Sequence, residues 1–229
     1  MAEKFELRDV IAIGRTFDEY CRMFNLTFTR LKGAAILDAG GGVSSFTAEA
    51  NGLGLNVKSA DHIYGFSPRE LESKSAVDLA EMLSKIDEIR DNYNWDFYGN
   101  STGLAQYREN ARAGFIADYK LNRAPRYVNT GFPWTVFTGG EFDITIMSHL
   151  LFLYDEHLDY GFHADTVAEL LRITREEVMI YPLFNLRWKK SLFVDRIMGD
   201  ARFTKARFTV KKSGFEFVKG ADEYLSIMP

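Results

Sequence analysis

The residues with the clearest chemistry stand in the run ILDAGGGVSSF, where three glycines follow an aspartate. Gly40, Gly41 and Gly42 fall directly between a short apolar stretch, 34–37, and a segment that Ser44 or Ser45 can cap as a helix. Glycine at a strand-to-helix junction lets a ligand approach the backbone and leaves helix-terminal N–H groups accessible. Asp38 ends the strand two residues before Gly40. A carboxylate there repels a pyrophosphate and suits an ammonium group. A second acid, Asp61, ends the next predicted strand, 56–60, at 19 residues after Gly42. At that point a carboxylate can accept both hydroxyls of a ribose. The next residue, His62, falls where a side chain can pack against an adenine face.

A nicotinamide-dinucleotide fingerprint, G-x-G-x-x-G, wants a third glycine where Ser45 stands. Together with Asp38 this disfavours an oxidoreductase. S-adenosylmethionine offers an ammonium and a ribose in one molecule. The histidines are the other candidates for chemistry. His149, His157 and His163 fall within 15 residues, but spacings of eight and six do not put them on one helical face. No cysteine or acid pattern of metal-ligand spacing accompanies them, so no metal site is expected. His149 follows a predicted strand at 142–148 (FDITIMS), beside the crevice where open α/β sheets bind ligands. There it either acts as a general base, orients a nucleophile, or bonds to a neighbouring loop. Tyr154, five residues on, can shape the same rim, whereas Leu150, Leu151 and Phe152 read as packing.

These residues need a scaffold, and its elements are readable. The first 30 residues look helical, with Thr16 and Glu19 forming a capping box for 17–24. Ser67-Pro68-Arg69-Glu70 is a second helix start, with serine as cap, proline in the first turn and glutamate at the third position. From there to residue 123 runs a segment longer than a simple crossover needs, rich in aromatics. It is expected to be a helical cap insertion over the crevice. A weak strand is expected at 126–130, a helix at 164–173, a strand at 177–183, a helix at 191–198 and an antiparallel hairpin over 206–228. Alternating strands and helices imply a mainly parallel α/β sheet with right-handed crossovers.

The bulk composition narrows the function classes. With 229 residues, 46% hydrophobic and 26% charged, the chain suits one α/β domain spanning 1–229. A formal net charge of −4 argues against nucleic acid as a partner. One stretch departs from this: from 184 to 219, ten Lys or Arg face only Asp195, Asp200 and Glu216, a net of +7. It reads as a solvated outer face, with an anion-binding face as the alternative. The single cysteine, Cys21, cannot form an internal disulfide and reads as a buried structural thiol. The opening MAEKFELRDV lacks an apolar signal core, and no apolar run approaches ~20 residues, so a cytoplasmic location off the membrane is expected.

Taken together, AILDAGGGVSSF, EFDITIMSHLLFLY and GFEFVKGADEYLSI resemble the first motif, fourth motif and final hairpin of class I S-adenosylmethionine-dependent methyltransferases. The likeness covers roughly residues 15–228. It is nearest to a little-characterised microbial branch with a GRTFDEY-like helix before the glycine loop and an SHLLFLY-like run after the fourth strand. The resemblance implies a Rossmann-like fold, a seven-stranded, mostly parallel sheet whose last strand is antiparallel. It implies that Asp38, Gly40 and Gly42 take the methionine end of the cofactor and Asp61 the ribose. It also puts Ser148 and His149 at the mouth where the methyl group is presented. Family members commonly carry an acid after the third strand that contacts the adenine amine. Here that stretch is Asn129-Thr130-Gly131, which leaves Asn129 or backbone groups for the task. The expected function is methyl transfer to a small molecule or protein side chain. The alternative is a non-catalytic module that keeps the fold and binds the same ligand. Neither the acceptor nor the oligomeric state is encoded in these motifs.

Overall fold

Seven strands make one sheet in the order β3-β2-β1-β4-β5-β7-β6. They are β1 Ala35–Ala39, β2 Asn56–Asp61, β3 Tyr127–Asn129, β4 Phe142–Ser148, β5 Thr174–Tyr181, β6 Arg207–Lys212 and β7 Glu223–Met228. The computed structural model describes residues 11–229. The first ten residues of the expected N-terminal helical segment therefore lie outside the described residues. Strands β1 to β5 pair in parallel, and β7 runs antiparallel to both β5 and β6. Central strands covered on both faces need continuous apolar runs. In β4 every residue but Asp143 is buried, whereas edge strand β6 (RFTVKK) carries lysines and exposed positions, which protect an open edge.

Among the described residues seven α-helices accompany the sheet: α1 Phe17–Met23, α2 Phe28–Leu31, α3 Phe46–Gly52, α4 Pro68–Ile86, α5 Ser101–Arg126, α6 Tyr160–Ile173 and α7 Leu192–Met198. Both sequence-predicted capping boxes form, Thr16 with Glu19 on α1 and Ser67 with Glu70 on α4. Three local expectations need correction. Residues 11–16 are not helical but lie as a strap against the glycine loop. Strand β5 starts at Thr174 and stops at Tyr181, because Pro182 has no N–H to donate to a ladder. Ser45 occupies the N-cap of α3, yet its hydroxyl turns to Glu49, and its own N–H goes to the carbonyl of Arg15 at 3.0 Å.

The long segment between β2 and β3 holds α4 and α5, whose last turn is broken at Asn122 and Ala124 ahead of Pro125. The two helices pack on each other, and α5 packs on α3, β2 and β3. Its aromatics divide into two clusters. Phe115 and Tyr119 close on Tyr64 and Tyr127 beside β3, while Phe97, Tyr98 and Tyr107 pack with Phe215 from the β6–β7 hairpin. Among the described residues no helix is long and apolar enough to cross a membrane.

The strap is held from both sides. Its Gly14 lies so close to the glycine loop that a Cβ there would meet the carbonyl oxygen of Val43 at 2.1 Å. On the other side, the N–H of Ala12 donates to Asp78 of α4 at 2.7 Å and the Gly14 carbonyl accepts from Arg108 of α5 at 3.1 Å. Arg108 also meets Glu19 of α1 at 2.7 Å and the Tyr98 hydroxyl at 2.6 Å, with all three side chains buried. Burial works against ionisation of Glu19. Arg108 and the N–H of Thr16 overcome it and leave the carboxyl below its ordinary value. Breaking such a buried pair from one side strands a charge, at a cost of about 3–5 kcal/mol. Arg108→Met is therefore expected to lose stability of about that size in urea denaturation. The double variant with Glu19→Gln should lose clearly less than the two single losses combined. Additive losses would mean that the two side chains do not act as a pair.

Candidate active site

The parallel register brings the sequence-predicted residues to one end of the sheet. Asp38 of β1 sits opposite Ser59 of β2 and Ile146 of β4, and Ala39 sits opposite Met147. The chain then leaves β1 into the glycine loop and leaves β4 through Ser148. Gly40 and Gly42 both take left-handed backbone, with φ of 69° and 56°. At Gly41 the demand is steric instead, since a Cβ would meet Ser59 Oγ at 2.1 Å and Asp38 Oδ2 at 2.5 Å. The loop thus lies directly on the acid. Around Gly42 the position of a Cβ has no protein atom within 4 Å.

Asp38 is buried beneath this loop. Its Oδ1 accepts from the Tyr20 hydroxyl at 3.0 Å and its Oδ2 from Ser59 Oγ at 3.4 Å. Burial pushes its carboxyl up to about 7, against the pull of the Tyr20 hydroxyl and with Asp61 adding to the rise. Asp61 is tied to the other end of the loop, its Oδ2 accepting the N–H of Gly42 at 3.0 Å and its Oδ1 the N–H of Ile63 at 3.1 Å. His62 follows with its ring 3.2 Å from Asp61, which raises its pKa. Gly131 passes close to the His62 side chain, and Asn129 pairs with Asp61 across β2 and β3. Tyr64 closes the group by donating to the Gly42 carbonyl at 2.9 Å and meeting Ser59 Oγ at 2.7 Å. A continuous chain of hydrogen bonds therefore joins Tyr20, Asp38, Ser59, Tyr64, Gly42 and Asp61.

At the end of β4 stand Ser148 and His149. His149 has a left-handed backbone, φ 56°, fixed by donation of its N–H to the Tyr181 carbonyl at 2.7 Å. Ser148 Oγ lies 2.7 Å from His149 Nδ1 and also directs its proton at the Met23 sulfur, 3.7 Å away. Either atom of the Ser148–His149 pair can be the donor, depending on the tautomer of the imidazole. Burial, with Arg15 and Arg108 adding, holds this imidazole well below its ordinary pKa. Tyr154 is half-buried, and Arg15 acts on it electrostatically as well.

The other histidines serve elsewhere. His163 is buried in α6 with both ring nitrogens at backbone carbonyls, those of Asp159 and Leu151, at 2.8 Å each. His157 is exposed. Among the described residues no group of three His, Cys, Asp or Glu side chains is placed to hold a metal ion. Part of the basic stretch 184–219 is answered by acids, some inside the stretch and some from other parts of the chain. Arg187 pairs with Glu156, Arg202 with Asp165 and Asp200, and Lys211 with Glu177. Sequence reasoning missed Arg15, Tyr20, Ser59 and Tyr64. Tyr20 and Arg15 stood in the quoted GRTFDEY run, but which way each side chain turns depends on the strap. Ser59 alternates inward on β2 next to Asp61, a signal that strand periodicity carries.

No family model matches the chain. Over 222 residues it is 43% identical to an uncharacterized protein of Methanocaldococcus jannaschii, covering 96% of this chain and 97% of that protein. Among solved structures it is similar to magnesium protoporphyrin IX methyltransferase from Synechocystis PCC 6803 with bound SAM, at 15% identity and a TM-score of 0.44 over 87% of this chain and 72% of that one. It is also similar to a TehB-like SAM-dependent methyltransferase from Corynebacterium glutamicum, at 15% identity and a TM-score of 0.43 over 86% and 79% of the two chains. The sheet order places antiparallel β7 between β5 and β6, in keeping with the seven-stranded, mostly parallel sheet expected from the sequence. This chain and the Methanocaldococcus jannaschii protein belong to one family.

Proposed function

We propose that the chain is an S-adenosylmethionine-dependent methyltransferase acting on a small molecule or a protein side chain. The observation that carries this reading is the pair of strand-ending acids joined through one glycine loop, Asp38 under Gly41 and Asp61 on the N–H of Gly42. Such a pair suits a ligand with an ammonium at one end and a diol at the other. A carboxylate offers about four lone-pair sites. Each oxygen of Asp61 has one backbone N–H partner, which leaves acceptor capacity for ribose hydroxyls. A dinucleotide fits less well, because the N–H of Ser45 at the start of α3 is already taken by Arg15 and an acid lies where a pyrophosphate would press.

In this reading Asp38, Gly40 and Gly42 hold the methionine end, Asp61 the ribose, and His62 with Asn129 flanks the adenine. Ser148 borders the reacting end. When bound, the cofactor supplies a methyl group on a sulfonium, open to in-line displacement. The chain's own part is then mainly positioning and exclusion of water. Neutral His149 takes the proton of the attacking group, and Tyr154 shapes the rim beside it. The helical insertion 68–123 acts as a cap through the strap, since α4 and α5 hold residues 12–16 against the glycine loop.

Calorimetry with S-adenosylhomocysteine and with NAD tests the cofactor class. Binding of the first and not the second is expected, and Asp61→Ala should weaken it by ~1–3 kcal/mol. Preference for NAD would reject the reading. The state of Asp38 provides a second check. Its folded pKa, about 7, stands above the ordinary carboxyl value. Its contribution to stability is therefore full at acid pH and is lost as pH rises toward 7. An ammonium beside it favours the carboxylate, so binding of S-adenosylhomocysteine near pH 6.5 should release protons to buffer. Calorimetry in buffers of different ionisation heat reads this, and Asp38→Asn should abolish it. A wild-type protein that releases none has its ammonium elsewhere. The third concerns His149, whose lowered pKa means that the unfolded chain binds a proton the folded one refuses. Melting temperature should fall as pH drops below about 6.5, the unfolded value, and His149→Asn should flatten that slope. An unchanged slope in the variant would take His149 out of its charged surroundings.

A further inference from the structure

The strap carries a cation that the site described so far does not use. Arg15 and Arg108 are electrostatic neighbours, and Glu19 is the carboxylate they share. Glu19 is bonded to Arg108, whose remaining contacts go to Tyr98 and the Gly14 carbonyl. The guanidinium of Arg15 makes one hydrogen bond, from Nη1 to the carbonyl of Ile13 at 3.1 Å, and no ion pair with any described residue. A guanidinium has five N–H donors, so most of its capacity is unspent. A half-buried cation without a counter-charge is unfavourable for the protein alone. Tyr20, Tyr98, His149, Tyr154 and Tyr181 also feel its charge.

The backbone of Arg15 is bolted to the glycine loop. Its N–H donates to Ser44 Oγ at 3.1 Å and its carbonyl accepts from Ser45 N at 3.0 Å. The backbone that carries the cation is thus fixed to the glycine loop, and the charge lies within electrostatic reach of His149 and Tyr154. We infer that Arg15 is the receptor for a carboxylate on a ligand of this crevice. A single spare positive charge matches a monoanion. A phosphate monoester would bring two negative charges into a site that already holds Asp38, Asp61 and Glu19. The planar fork of the guanidinium also matches a carboxylate in bidentate geometry. Two sources supply that group: the amino-acid end of the cofactor, or the methyl acceptor itself. The first rests on the S-adenosyl reading above, and the second does not.

The test compares wild type with Arg15→Met and Arg15→Lys. Both variants keep the backbone bonds of the strap. Because Arg15→Met removes an uncompensated cation, its ligand-free melting temperature should equal or exceed that of wild type. A purely structural arginine would lower it, which would overturn the inference. Calorimetry then uses S-adenosylhomocysteine and 5′-methylthioadenosine, which has the same nucleoside thioether without the amino-acid carboxylate. If the cofactor is the source, Arg15→Met weakens the first roughly 10- to 150-fold and leaves the second unchanged, with partial rescue in Arg15→Lys. If the acceptor is the source, neither affinity changes. Sodium acetate then stabilises wild type, with or without S-adenosylhomocysteine, more than chloride does at equal ionic strength, and stabilises Arg15→Met no more than chloride. Absence of both effects overturns the inference. Failure of wild type to bind S-adenosylhomocysteine would instead reject the S-adenosyl reading, and the acetate comparison still decides the role of Arg15.

Discussion

The buried pair of Arg108 and Glu19 holds together the half of the molecule that surrounds the glycine loop. It joins α5 to α1, and through the Gly14 carbonyl it fastens the strap between them. The strap in turn supplies the carbonyl that satisfies Ser45 at the start of α3. A charge pair of this kind gives little net stability compared with apolar packing, but it is intolerant of partial removal. Its value here is geometric. Two stretches distant in sequence, 14–19 and 98–108, meet at one guanidinium whose directions are fixed, so the strap has one seat.

The glycine loop works under a matching constraint from below. Gly41 lies on Asp38 and Ser59, and Gly14 lies on Val43, so backbone is in direct contact on both sides of the loop. No side chain fits at either point. Asp38 in this packing has lost its water, and its carboxyl is weakly acidic for that reason. The hydrogen-bond chain through Ser59 and Tyr64 connects it to Asp61. The two acids are therefore not independent surface caps.

Much of this was legible in the sequence because local rules fix it. The capping boxes at Thr16 and Ser67, the apolar run of β4 and the hairpin of β6 and β7 follow from period, propensity and turn chemistry within a few residues. Asp38, the glycines and Asp61 were readable because a strand end and a helix start locate them. Residues 11–16 were misread as helical because their conformation is set by Ser44, Asp78 and Arg108, which no local window contains. For the same reason the role of Arg15 was hidden. Its type was visible, but its lack of an ion pair among the described residues is a property of the assembled structure. The aromatics of the insertion were visible as packing groups, while their division between Tyr64 and Phe215 depended on where the hairpin lands.

The strap also has a history within each molecule. It is made well before the residues that seat it, since Asp78 follows Ala12 by 66 residues and Arg108 follows Gly14 by 94. Contacts across such separations close late, after the cost of ordering the intervening chain has been met. A nascent chain that has reached β2 already holds every glycine and both acids of the motif. It has nothing with which to seat the strap until α5 has emerged. The half around the glycine loop thus matures in two stages, and a segment translated before the motif is fixed after it.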